Sequence, residues 1–251
     1  MCGAAPSETL HDVGAGLELN HRVPRVPVVP DRHDFLVSRC RGRRVLHVGC
    51  VDAGLERERY DAREHLHARL QPVAEDLVGV DIDRAGLEFL RGQGHADLLL
   101  ADVCEPGWVS ELASRRFDVI VASEVLEHLD APGAFLDAIV PLMTEGTRLI
   151  VTVPNAFGLE GIRAMVRGNE HVHPDHNYWF SFHTLTTLLA KHGYAVAELL
   201  TYAFRSRRRT LTRPVGTWLL RRNAFWGDGV IAVATLAGVT AAEAVAPTWI
   251  S

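Results

Sequence analysis

The chain has almost no lysine. Lys191 stands alone among 26 Lys and Arg residues; the rest are arginine. We read this as codon bias of GC-rich DNA, not as chemistry. A surplus of positive charge is missing too. The 31 acidic residues leave a net charge of -5 and a pI near 6.2. That argues against a general nucleic-acid binder, whose phosphate contacts need a basic face. No apolar run approaches the roughly 20 residues that span a bilayer, so no stable membrane insertion is expected. The opening MCGAAPSETLHDVGAG lacks a basic and then apolar leader and does not read as a signal peptide. The four cysteines (Cys2, Cys40, Cys50, Cys104) form no CxxC pair. Reduced thiols in the cytoplasm are the simplest expectation. Repeats and low-complexity tracts are absent.

What is present is an apolar fraction of 47% over 251 residues, enough to bury a sizeable core. Residues 1–33 read as an arm, with 22–30 (RVPRVPVVP) proline-punctuated and extended. A helix is expected at 34–41. Apolar runs then alternate with amphipathic segments. Strands are predicted at 44–48, 77–82, 98–101, 117–122 and 147–153, with helices at 57–70, 84–91 and 125–142, the last broken at Pro132. A helix at 181–192, a strand at 194–202 and a last strand at 229–236 complete a domain over 34–240. Residues 241–251 read as a tail. Alternating apolar strands and helices imply a parallel sheet covered on both faces.

Such sheets bind ligands at the carboxyl ends of their strands, so the residues just beyond each strand are the informative ones. The first strand leads into His47-Val48-Gly49-Cys50-Val51-Asp52-Ala53-Gly54, where glycines let backbone approach a ligand. The second ends at Asp81-Ile82, and an acid there can accept both hydroxyl protons of a ribose. Asp83 reads as the cap of the following helix. Asp102 and Val103 follow the third strand, where a carboxylate can meet an adenine amino group. Ser123-Glu124-Val125-Leu126-Glu127-His128-Leu129 follows the fourth.

Together VLHVGCVDAG, VGVDID, ADV, FDVIVASEVLEHL and LIVTVPN resemble the class I S-adenosylmethionine-dependent methyltransferases over roughly residues 40–202. SEVLEHL and HPDHNYWFS are most similar to the branch containing ubiquinone-type and sugar O-methyltransferases. The resemblance implies an α/β, Rossmann-like doubly wound sheet of seven strands, mostly parallel with the last antiparallel. It implies that Gly49, Cys50 and Gly54 shape the methionine and ribose pocket, that Asp81 with Ile82 holds the ribose, and that Asp102 with Val103 meets the adenine. Ser123 and Glu124 would line the cofactor near its sulfonium. Two departures stand out. The family usually has an acid at His47 and a GxG at Gly49-Cys50-Val51. His47 could orient the methionine end by hydrogen bonding. The product would be S-adenosylhomocysteine, the acceptor a small molecule, and a homodimer is compatible with this pattern.

The substrate side falls to 155–183. Its histidine-dense EHVHPDHNYWF (170–180) should hang over the open end of the sheet. Histidine is the natural base near neutral pH. His176 leads the candidates, with His173, Asp175 and His128 behind it. Tyr178, Trp179 and Phe180 could wall the acceptor pocket. Glu124, Glu127 and His128 would share one helical face, a set able to bind a divalent metal. HVHPDH also matches a dizinc hydrolase signature, which makes a metal-dependent hydrolase a rival reading. A non-catalytic partner subunit is another. The acceptor is expected to be a sugar or glycoside-like hydroxyl, with an amino-sugar nitrogen as the alternative. An Arg-rich insertion (205–226, with Arg205, Arg207, Arg208, Arg209 and Arg213) reads as a solvated loop, or as a site for an anionic acceptor group, a partner or a membrane surface.

Overall fold

The computed structural model describes residues 10–13, 16–19, 26–52, 54–105, 107–202 and 223–238. The Arg-rich cluster and the expected tail lie outside the described residues. The strands are β1 (Leu10–Val13), β2 (Gly16–Leu19), β3 (Val28–Val29), β4 (Arg44–Val48), β5 (Asp76–Asp81), β6 (Leu98–Leu100), β7 (Val119–Ser123), β8 (Arg148–Pro154), β9 (Tyr194–Tyr202) and β10 (Gly229–Leu236). The helices are α1 (Arg32–Cys40), α2 (Glu56–Asp61), α3 (Leu66–Leu70), α4 (Arg84–Gly92), α5 (Pro132–Ala138), α6 (Leu159–Val166) and α7 (Phe182–Lys191).

β1 and β2 form an antiparallel pair. The main sheet has the order β3-β9-β10-β8-β7-β4-β5-β6. From β8 to β6 every pairing is parallel, while β10 runs antiparallel to both β8 and β9. The sheet therefore has eight strands, not the expected seven. The extra one is Val28–Val29, which pairs parallel with Thr201 and Tyr202. Proline cannot donate to a ladder, so this proline-flanked pair can sit only at an edge. The arm expected over 1–33 thus ends inside the fold, because the sheet and α1 both begin before residue 34.

Alternation along the strands sends neighbours to opposite faces. Leu46, Val48, Ile120, Ala122, Leu149 and Val151 pack on α5 and α7 through Phe135, Leu136, Leu185 and Leu189. Val45, Val119, Val121, Ile150 and Ile231 pack on α1 and α3 through Leu36, Cys40, Leu66 and Leu70. Local chemistry sets the helix starts. Asp31 and Asp83 accept the N–H groups of Asp34 and Ala85, and Ser181 with Thr184 closes a capping box on α7.

Two predicted helices are not continuous. The 57–70 segment splits into α2 and α3 around Arg63, which sits at φ 59°. Only 132–138 of the expected 125–142 helix is α-helical, with a 3-10 turn at Val140–Leu142. Glu124 at φ 57° turns the chain away from helical geometry, and Pro132 then begins α5 at its first position. Leu46 lies fully buried in the central strand β4. Leu46→Ala should lower unfolding free energy by about 2–5 kcal/mol, read as a lower urea midpoint. A loss within about 0.5 kcal/mol would contradict this packing.

Candidate active site

The carboxyl ends of β4, β5, β6, β7 and β8 open onto one cavity of about 1280 Å³. Every expected site residue borders it except Gly54: His47, Gly49, Cys50, Asp81, Ile82, Asp102, Val103, Ser123, Glu124, Glu127, His128, His173, Asp175 and His176. On the β4–β5 side, Gly49 sits at φ 69°, and a Cβ there would meet Val125 Cγ2 at 2.5 Å. Only glycine serves at this turn. Gly49 N–H and Cys50 N–H both donate to Val80 O. Asp81 accepts from Val51 N–H at 2.8 Å and from Asp83 N–H at 3.0 Å. Burial nevertheless raises its pKa. Asp102 accepts from Cys104 N–H at 2.8 Å, which braces the β6 loop. Ile82 is exposed and Val103 buried.

His47 is not aimed as the sequence suggested. Two positions beyond Val45, it points to the α1–α3 face. Its ring stacks on His67 at 5.5 Å between centroids, and the two Nδ1 atoms lie 3.3 Å apart. Burial, then the neighbouring imidazoles, holds it neutral.

Glu124 is the most heavily bonded acid here. Its Oε1 accepts from Tyr202 Oη at 2.7 Å and Thr152 Oγ1 at 2.9 Å, and lies 2.9 Å from Arg32 Nη1. Its backbone N–H donates to Thr152 O. Burial disfavours the Arg32 cation, but Glu124 and Tyr202 outweigh it and raise its pKa. Arg32 lies within the segment expected as an arm. The only hint was Asp31, whose cap begins α1 at Arg32.

Glu124, Glu127 and His128 do not share a helical face, because no helix forms there. Glu124 is engaged by Arg32, Tyr202 and Thr152 instead. Glu127 is buried, and neither carboxyl oxygen has a hydrogen-bond partner among the described residues. Burial and then the Glu124 charge push its pKa up to about 9. His128 meets His173 and His176 instead, with ring centroids 4.7–5.5 Å apart. One nitrogen from each ring lies within 4.8 Å of the others, a geometry able to hold a cation. His128 Nδ1 lies 3.2 Å from Asp175 O, and Asn177 donates to His128 O at 3.0 Å. Burial, then His128 and His173, lowers the His176 pKa.

The tyrosine and phenylalanine of NYWF are structural: Tyr178 donates to Asp130 O and Phe180 is buried. Trp179 borders the cavity. His183 contacts Thr187, and His192 pairs with Asp137 at 2.7 Å. Neither downstream histidine joins the trio, which removes the ligands a dizinc hydrolase would need.

A family model described as a methyltransferase domain matches residues 19–199. The chain belongs to the S-adenosylmethionine-dependent methyltransferases. No curated protein matches its sequence. Among solved structures it is similar to an S-adenosylmethionine-dependent methyltransferase from Archaeoglobus fulgidus, at 18% identity and a TM-score of 0.52, covering 80% of this chain and 93% of that one. A methyltransferase from Clostridium acetobutylicum matches at 13% identity and a TM-score of 0.54, over 82% and 91%. The small RNA methyltransferase HEN1 matches at 17% and 0.56, over 82% of this chain but 25% of that one. At these identities the likeness is one of fold.

The methyltransferase frame makes two acids testable. Arg32→Met leaves Glu124 uncompensated and should cost about 2–4 kcal/mol. Arg32→Met with Glu124→Gln should recover at least half, measured by urea unfolding near neutral pH; additive losses would mean no coupling. Glu127 has a folded pKa above its unfolded value. The folded state therefore holds an extra proton between pH 4.5 and about 9, and stability falls as pH rises through that window. Glu127→Gln removes this slope. Its urea midpoint should gain on the wild type more at about pH 8.5 than at about pH 5. An equal difference at both pH values would show an ordinary, ionised Glu127.

Proposed function

We propose that this methyltransferase acts on a hydroxyl of a small, polyhydroxylated acceptor of the sugar or glycoside class. The observation that carries the reading is a single cavity bordered by both the strand-end loops and the histidine trio. The acidic net charge of -5 supports a small acceptor over a nucleic acid.

In this reading the Gly49–Cys50 backbone lies along the methionine portion of the cofactor. Asp81 accepts from the ribose hydroxyls, Ile82 covers the ribose, and Asp102 with Val103 meets the adenine. The residues fit: the turn at Gly49 has no room for a Cβ, and Asp81 stands braced at the strand end. Bound S-adenosylmethionine supplies a methyl on a sulfonium, an electrophile that needs in-line approach more than further activation. Ser123 and Glu124 border its reacting end. His176 is held neutral by its surroundings and takes the acceptor's proton as the new C–O bond forms, a role typically worth about 10²–10⁴-fold. His128, His173 and Asp175 orient it.

A second reading of the trio rests on the convergence of its nitrogens within 4.8 Å. His128, His173 and His176 would hold a divalent cation. Bound there, it would acidify an acceptor hydroxyl. His176 cannot serve as ligand and base with the same nitrogen, so metal dependence separates the two.

Calorimetric titration with S-adenosylhomocysteine should show micromolar binding that Asp81→Ala weakens by about tenfold or more. Equal affinity would mean that the ribose is held elsewhere. In turnover with a panel of polyols and amines, His176→Ala should lose about tenfold or more while still binding the product. Activity that survives chelation makes His176 the base. Loss on chelation, restored by added cation, assigns the trio to metal. Transfer to amines alone would replace the hydroxyl reading by N-methylation.

A further inference from the structure

Beneath the Gly49–Asp52 turn lies a second group of histidines that the proposed chemistry does not use. His47 on β4 faces His67 on α3, and His67 faces His95, beyond the end of α4, at 5.0 Å between ring centroids. Tyr60 of α2 closes the stack, with its hydroxyl 3.4 Å from His95 Nε2 and its ring tilted to His65 at 5.9 Å. His47, His65, His67 and His95 are all buried.

We infer that cofactor loading is proton-gated: acidification breaks this imidazole stack and releases α2 and the residues leading into α3 from the back of the cofactor turn. The inference rests on the cofactor seating at Gly49–Asp52 as proposed above.

The geometry supplies the reason. A Nδ1–Nδ1 contact of 3.3 Å between His47 and His67 needs one nitrogen with a proton and one without. Protonating the acceptor ring puts a hydrogen on both and adds like charge at close range. The groups around the stack do little to absorb that charge. His47 faces His67, His65, His33 and Arg32; His67 faces His95 and His65. His65 has Asp52 at 3.9 Å, but Arg59 already bonds Asp52; Glu56 also faces His65. Burial leads the causes that lower every one of these histidines, with His67 falling to about 3.

The yielding part is local. α2 has no buried residue, whereas α3 is anchored in the core by Leu66 and Leu70 and β4 is buried within the sheet. Elements with little burial open at low free-energy cost. Asp52 ties this cover to the turn, bonding Arg59 directly and facing His65. Opening the cover therefore loosens Val51–Asp52, next to the Val51 N–H bond to Asp81. The sign follows from linkage. Histidines with folded pKa below the unfolded value favour the closed state fully above the unfolded pKa of about 6.5. They lose that contribution as pH falls below it.

The test is S-adenosylhomocysteine affinity of the full chain by calorimetry at about pH 7.5, 6.5 and 5.5, with hydrogen exchange over 55–65 at the same pH values. Affinity should fall by about tenfold or more per unit below about pH 6, with proton release on binding seen as a buffer-dependent heat. His67→Gln and His95→Gln should flatten that slope. Exchange should rise over 55–65 while β7 and β8 stay protected. A pH-independent affinity of the folded wild type overturns the gate, and so does loss of protection in all strands at once. No binding at pH 7.5 would instead count against the cofactor reading, and the exchange pattern then decides the gate.

Discussion

Glu124 organises this molecule. A single half-buried carboxylate draws Arg32 from α1, Thr152 from β8 and Tyr202 from β9 onto itself. Those elements lie far apart in sequence, and each faces a polar group that would be costly to leave unpaired. Satisfying Glu124 requires φ 57° at its own backbone, a strained choice for a side-chain-bearing residue. Strain of this kind gathers at functional sites and is held there by surrounding structure. The left-handed turn also explains why 125–131 leaves the helical path. That departure carries Glu127 into the interior and turns His128 toward His173 and His176.

The cavity is consequently two-sided. Its β4–β6 side is backbone-rich, with Gly49, Asp81 and Asp102 each fixed by short hydrogen bonds. Its β7–β8 side is rich in ionisable side chains whose states are set by burial and by neighbouring charges. Glu127 is kept protonated, Arg32 charged and His176 neutral. A rigid cradle beside a tuned cluster suits methyl transfer, which needs positioning first and proton management second.

Much of this was legible in the chain. Runs such as RVLHV and FDVIVA mark buried strands because both faces of a parallel sheet are covered. Asp83 and Ser181 announce helix starts through capping chemistry that is local by nature. That Asp81 and Asp102 line the cavity is legible because strand ends in this architecture open onto one crevice. His47 borders the cavity as its position in the loop suggests, but no local signal announces that its ring stacks on His67.

The amino-acid sequence alone determined the alternating α/β order, the strand-end motifs and the methyltransferase family, because each depends on neighbours a few residues apart. Only the tertiary structure decided which charges meet. Val28–Val29 joins the sheet because β9 presents an edge to it. Arg32 reaches the cavity because α1 starts over Tyr202 and Glu124. The histidines of 128, 173 and 176 form one cluster because the 170–180 segment is tied back to Glu127, His128 and Asp130 by Asn177 and Tyr178. Those pairings span tens of residues, and no local propensity encodes them. They follow from burial, which makes an unpaired polar group too costly to leave alone.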